Sequence, residues 1–255
     1  MNASQRRRFF RGLFFLLSLL GVVGTLSAAE PRLQVSTISL HIDGAKILAD
    51  IFVQNEKAAR TQPTILVLHG AGGMLFDGPE MRRVARHLAA AGNAVYLIHY
   101  FDRTGTIFAR DATMQRNFEA WLATVRGAIV AVQNLRHSSR PVGVYGYSLG
   151  AFLSLAAASD NPRVGAVVEQ AGGVWNGRMN RIGKMPPVLM IHGREDARVP
   201  FAKYAEPLVP VLQARASKLE TRFFPGEGHG FTQPAMVEVR AAAARFFAQN
   251  LRGAR

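Results

Sequence analysis

The chain contains no cysteine. Disulfides, thiolate metal sites, a cysteine nucleophile and a cysteine-borne lipid anchor are excluded together. Acidic residues are scarce: 17 Asp and Glu stand against 31 Lys and Arg in 255 residues, a formal net charge of +14. The first 29 residues carry four of those arginines and no acid, and the remainder keeps 27 basic against 17 acidic residues. In that remainder no basic run is interleaved with aromatics, so no nucleic-acid partner is expected. Internal repeats, low-complexity stretches and Pro/Gly/Ser-rich linkers are also missing. Hydrophobic residues make up 49% and charged residues 19%, which describes a globular chain long enough for one domain with a well-buried core.

Apolar runs long enough to cross a bilayer, roughly 20 residues, are absent as well. The longest, Leu13 to Val23, follows Arg6, Arg7, Arg8 and Arg11 and precedes Ser27-Ala28-Ala29. A positive n-region, an apolar h-region and small residues at a cleavage site read as an export signal peptide over residues 1–29, an uncleaved membrane anchor being the alternative. Gln5-Arg6-Arg7-Arg8-Phe9-Phe10 also resembles the twin-arginine signal, and the general secretory route fits too. A single domain over 30–255 is expected, periplasmic or extracellular, with no stable membrane partner once the signal is removed.

Leu33–Leu40 and Lys46–Gln54 are β-rich stretches around Asp43-Gly44, a hairpin signal. The runs Thr64–Leu68, Ala94–Tyr100, Val142–Tyr145, Val164–Val168, Val188–Ile191 and Leu219–Phe224 are short and unalternating, as expected of parallel strands buried on both faces. Helical stripes separate them: Met81, Val84, Ala85 and Leu88; Phe118, Trp121, Leu122, Val125, Ile129, Val132 and Leu135; and Met236, Val239, Ala243, Phe246 and Phe247. These stripes are expected to be core. Pro207 and Pro210 predict a kink in a helix over 201–212. The alternation of strand and helix predicts an α/β fold, doubly wound on a mostly parallel sheet.

Gly146-Tyr147-Ser148-Leu149-Gly150 lies between a predicted strand and a predicted helix, the context of a nucleophile elbow. Glycines let the turn pack tightly while the serine stands exposed above the sheet. A serine hydroxyl needs a base. His229, flanked by glycines in Gly228-His229-Gly230 after the last predicted strand, is the candidate. Asp196, on the loop after Val188–Ile191, is the candidate to fix the histidine tautomer. Glu195 and Glu169 are rivals for that role. The order Ser, Asp, His is that of α/β-hydrolases. Gly70-Ala71-Gly72-Gly73 can turn backbone N–H groups toward a developing oxyanion. The Leu149 N–H pairs best with that of Ala71, Gly72 being the alternative. His69 and His192 read as loop-holding residues, and no metal-site spacing occurs.

With His192-Gly193-Arg194-Glu195-Asp196-Ala197-Arg198-Val199-Pro200 and Gly228-His229-Gly230-Phe231, these segments resemble the dienelactone hydrolase group of α/β-hydrolases. The resemblance spans about Pro63 to Phe231. It implies the α/β-hydrolase fold and hydrolysis through an acyl-enzyme without a cofactor. Dienelactone hydrolases proper carry cysteine where Ser148 stands, so general hydrolysis of small-molecule esters or lactones is the expected activity. A peptidase, an acyltransferase and a non-catalytic binding protein on the same fold are the other readings, and oligomeric state is open. The connection from Glu169 to Pro187 is too short and polar for a large cap domain. Trp175, Met179 and Ile182 are expected to form a shallow wall.

Overall fold

Eight strands form one sheet in the order β1-β2-β4-β3-β5-β6-β7-β8. The computed structural model describes residues 32–55, 61–175 and 177–251; the expected signal peptide lies outside them. β1 (Gln34–Ile42) and β2 (Ala45–Val53) form the hairpin, turned at Asp43-Gly44 with both residues at positive φ. β2 pairs antiparallel with β4 (Ala94–Ile98). From β4 onward every pairing is parallel, through β3 (Thr64–Leu68), β5 (Val142–Tyr147), β6 (Val164–Gln170), β7 (Val188–Gly193) and β8 (Leu219–Phe224). This is the doubly wound, mostly parallel α/β architecture expected from the sequence.

The unbroken apolar strands are explained by helices on both faces. In β3, Leu66 and Leu68 join the core under α3 (Asp111–Leu135) and α4 (Leu149–Ala158). Ile65 and Val67, on the opposite face, pack with α2 (Gly78–Ala90) and α7 (Gln233–Leu251). A single turn, α1 (Gly73–Phe76), precedes α2.

Three local expectations change. β8 is an edge strand, and its Thr221 and Arg222 are exposed rather than buried on both faces. Leu135 closes α3 at 52% exposure, because the helix ends there and the chain turns away through Arg136 and His137. The predicted kink over 201–212 is a full break into α5 (Phe201–Tyr204) and α6 (Leu208–Arg215). Pro207 caps α6, and Pro210 sits in its first turn, where a missing N–H costs no helical bond.

Candidate active site

The carboxyl ends of β5, β7 and β8 bring three distant side chains together. Ser148 occupies the sharp turn between β5 and α4 with φ 53° and ψ −120°, a conformation that L-residues rarely adopt. Neighbouring glycines make the turn possible. A Cβ on Gly146 would stand 2.2 Å from the Gly150 carbonyl oxygen, and one on Gly150 would stand 2.5 Å from that of Leu68. The Ser148 N–H is tied to the Gln170 carbonyl at 2.9 Å, which fixes the strained residue to β6.

The Ser148 hydroxyl donates to His229 Nε2 at 2.9 Å, and His229 Nδ1–H donates to Asp196 Oδ2 at 2.8 Å. Asp196 is buried, and its other oxygen accepts the Arg198 and Val199 N–H groups at 2.9 and 2.7 Å. Burial alone would raise its pKa. Bonds from His192, His229 and the Val199 N–H more than offset that and hold the carboxyl well below its ordinary value. An ionised carboxylate keeps the His229 proton on Nδ1 and leaves Nε2 free to accept from serine.

The rival acids are engaged elsewhere. Glu195 accepts the Gly226 N–H at 2.7 Å. Glu169 accepts the Gly172 N–H at 3.1 Å, inside the protein. Of the two glycine-loop donors, the Gly72 N–H is given to Asp77 Oδ2 at 2.9 Å. Ala71 lines the same pocket as Ser148 and Leu149.

The model of the dienelactone hydrolase family matches residues 49–252. The chain belongs to this family. It is a hydrolase with the α/β-hydrolase fold, and among the described residues no large cap domain stands between β6 and β7. Among solved structures, a dienelactone hydrolase from Anabaena variabilis is similar at 24% identity and TM-score 0.65, over 86% of this chain and 99% of that one. A cold-adapted esterase from an Arctic intertidal metagenomic library is similar at 20% identity and TM-score 0.69, over 86% and 95%. An esterase of Pyrococcus furiosus is similar at 14% identity and TM-score 0.69, over 86% and 92%. At these identities the likeness is one of fold. No curated protein sequence matches the chain.

Sequence reasoning undervalued His192 in this dienelactone hydrolase family member. Its ring is fully buried beneath Asp196; Nε2–H donates to the Val199 carbonyl at 2.8 Å and stands 3.4 Å from Asp196 Oδ2. Burial would depress its pKa, but Asp196, Glu169 and the Val199 carbonyl outweigh that and raise it. Its position four residues before Asp196, at the end of a strand buried throughout, was the available signal. His69, by contrast, stacks on Tyr100 at 4.2 Å, and burial lowers its pKa to about 3, so it stays neutral. It serves the loop, as the sequence suggested.

The pocket over Ser148 has a volume of about 440 Å³. α3 contributes Met114 and Phe118 to it, the β6–β7 connection Trp175 and Arg178, and the segment after β7 Arg198 and Val199. Arg198 pairs with Asp111 and Arg178 with Glu119. The β6–β7 connection carries one 3-10 turn, Met179–Arg181, among its described residues. Among the described residues no cluster of three His, Asp or Glu could hold a metal ion, and no helix is long and apolar enough to cross a membrane.

Proposed function

We propose that the protein is a serine hydrolase that cleaves carboxylic esters or lactones of small substrates through an acyl-enzyme on Ser148. The observation that carries this reading is the continuous hydrogen-bonded chain from Ser148 through His229 to Asp196. In the proposed reaction His229 Nε2 takes the hydroxyl proton as Ser148 Oγ attacks the substrate carbonyl carbon. The Leu149 and Ala71 N–H groups receive the oxyanion, aided by the N-terminus of α4. The intermediate collapses, the carbon–oxygen ester bond breaks, and the proton on His229 passes to the departing alkoxide. Water, deprotonated by the same histidine, then releases the acid and restores Ser148.

A fluorophosphonate probe tests the reading. It should label the wild-type protein at Ser148, and Ser148→Ala should abolish labelling and lower ester turnover by ~10⁶-fold, the scale of nucleophile removal in triad enzymes. Near-normal turnover by a folded Ser148→Ala protein would overturn it.

Export of one hydrolase domain over 30–255 is part of the same proposal, supported by the charge and hydropathy order of residues 1–29. Made in a bacterium with its own N-terminus, the protein should be recovered outside the cytoplasm, starting at or near Glu30. Soluble cytoplasmic protein starting at Met1 would count against export.

A further inference from the structure

A second cavity, of about 420 Å³, adjoins the pocket over Ser148. Phe118, Phe152, Trp175 and Arg178 line both. Beyond them the second cavity has an apolar side, with Leu122, Leu155, Val174 and Ile182, and a polar side that includes Arg126 and Arg181. The three shared rings form one cluster: Trp175 lies 4.6 Å from Phe118 and 5.4 Å from Phe152, centroid to centroid. Arg178, paired with Glu119 and set 5.1 Å over the Phe118 ring, closes the polar edge of the same wall. Phe118 belongs to α3 and Phe152 to α4, where both are buried and held by the core. Trp175 is only partly buried and comes from the β6–β7 connection.

We propose that Trp175 is the specificity-determining residue of this site, dividing the catalytic pocket from a second cavity whose apolar side would otherwise take the alkyl chain of an ester substrate. The inference rests on the ester-hydrolase reading above and extends it to substrate length. Chain atoms that fit beside Ser148 contribute to transition-state binding. Atoms beyond the indole find no apolar surface to cover and contribute nothing. The wild-type profile should therefore flatten once the chain reaches the indole, with no further gain per methylene. The chain can belong to the acyl or to the alcohol half of the ester, and the two are separable by experiment.

The test measures kcat/KM for p-nitrophenyl acetate, butyrate, hexanoate and octanoate, and for ethyl, butyl, hexyl and octyl acetate. Trp175→Ala should raise the octanoate-to-butyrate ratio, or the octyl-to-butyl ratio, by about threefold per added methylene. The series that responds names the half of the substrate that enters. Adding Ala156→Phe, which fills the second cavity from α4, should return the ratio to its wild-type value. Ala156 lines the second cavity and not the pocket over Ser148. Trp175→Leu serves as a milder opening if Trp175→Ala fails to fold. Ratios unchanged in both series for a folded Trp175 variant would overturn the proposal, as would a gain that survives Ala156→Phe. Acetate turnover that persists in Ser148→Ala would instead overturn the catalytic reading, whatever Trp175 does.

Discussion

Asp196 and Glu169 are both buried carboxylates at the carboxyl ends of adjacent strands, and both act on His192. Their pKa values are nevertheless shifted in opposite directions. Asp196 receives two backbone N–H groups and the His229 ring N–H. Glu169 receives one N–H, from Gly172, and its Oε1 has no hydrogen-bond partner among the described residues. Burial raises the Glu169 pKa to about 7, whereas Asp196 is kept well below its ordinary value. Depth alone therefore does not set the charge of a carboxyl group; the number of donors aimed at it does. A tight loop, Asp196 to Val199, supplies two of those donors, and His229 supplies the third. The chain after β6 supplies one, the Gly172 N–H.

Exchanging each carboxylate for its amide breaks this comparison most directly. Asp196→Asn should lower kcat/KM for a small ester by ~10⁴-fold, because an amide no longer enforces the His229 tautomer. Glu169→Gln should leave it within about tenfold, since its one bond, to the Gly172 N–H, survives the change. The reverse ranking would make Glu169 the orienting acid.

His192→Gln should fall between the two. Removing a partner of a charged carboxylate costs about 1.5–3 kcal/mol, or roughly tenfold to a hundredfold in kcat/KM. A folded His192→Gln protein with kcat/KM within about twofold of the wild type would assign His192 to packing alone.

The same comparison extends from rate to stability. The native state holds a proton on Glu169 up to about pH 7, which the unfolded chain releases near the ordinary value of 4.5. The stabilisation from this group is complete below the unfolded pKa and is lost as pH rises to the folded one, a change of ~3 kcal/mol. Urea midpoints of the wild type should therefore fall between pH 5 and pH 8, and Glu169→Gln should flatten that slope. Parallel slopes in the two proteins would show that Glu169 titrates normally in the fold.

Much of this site could be read from the chain because its parts are local. The elbow at 146–150 needs glycines two residues either side of the serine, a steric demand within five residues. Asp196 and His229 each follow a strand and precede a turn, so their placement at the carboxyl edge came from strand counting. The extents of β3 and β8 came from composition alone. The burial of β8 did not, because edge or interior position depends on strand order rather than on the run itself.

Ser148, Asp196 and His229 were thus determined by short-range pattern, together with the mostly parallel sheet that gathers them. Tertiary structure decided which neighbouring groups were free to act. Asp77 takes the Gly72 N–H while Ala71 lines the pocket with Ser148, and His192 came to lie beneath Asp196. Phe118, Phe152 and Trp175, from three separate elements, became one wall. Each outcome sums contacts between residues far apart in sequence. Backbone constraints act over a few residues and leave a pattern in the chain, whereas donor supply and packing depend on neighbours that only the folded chain assembles.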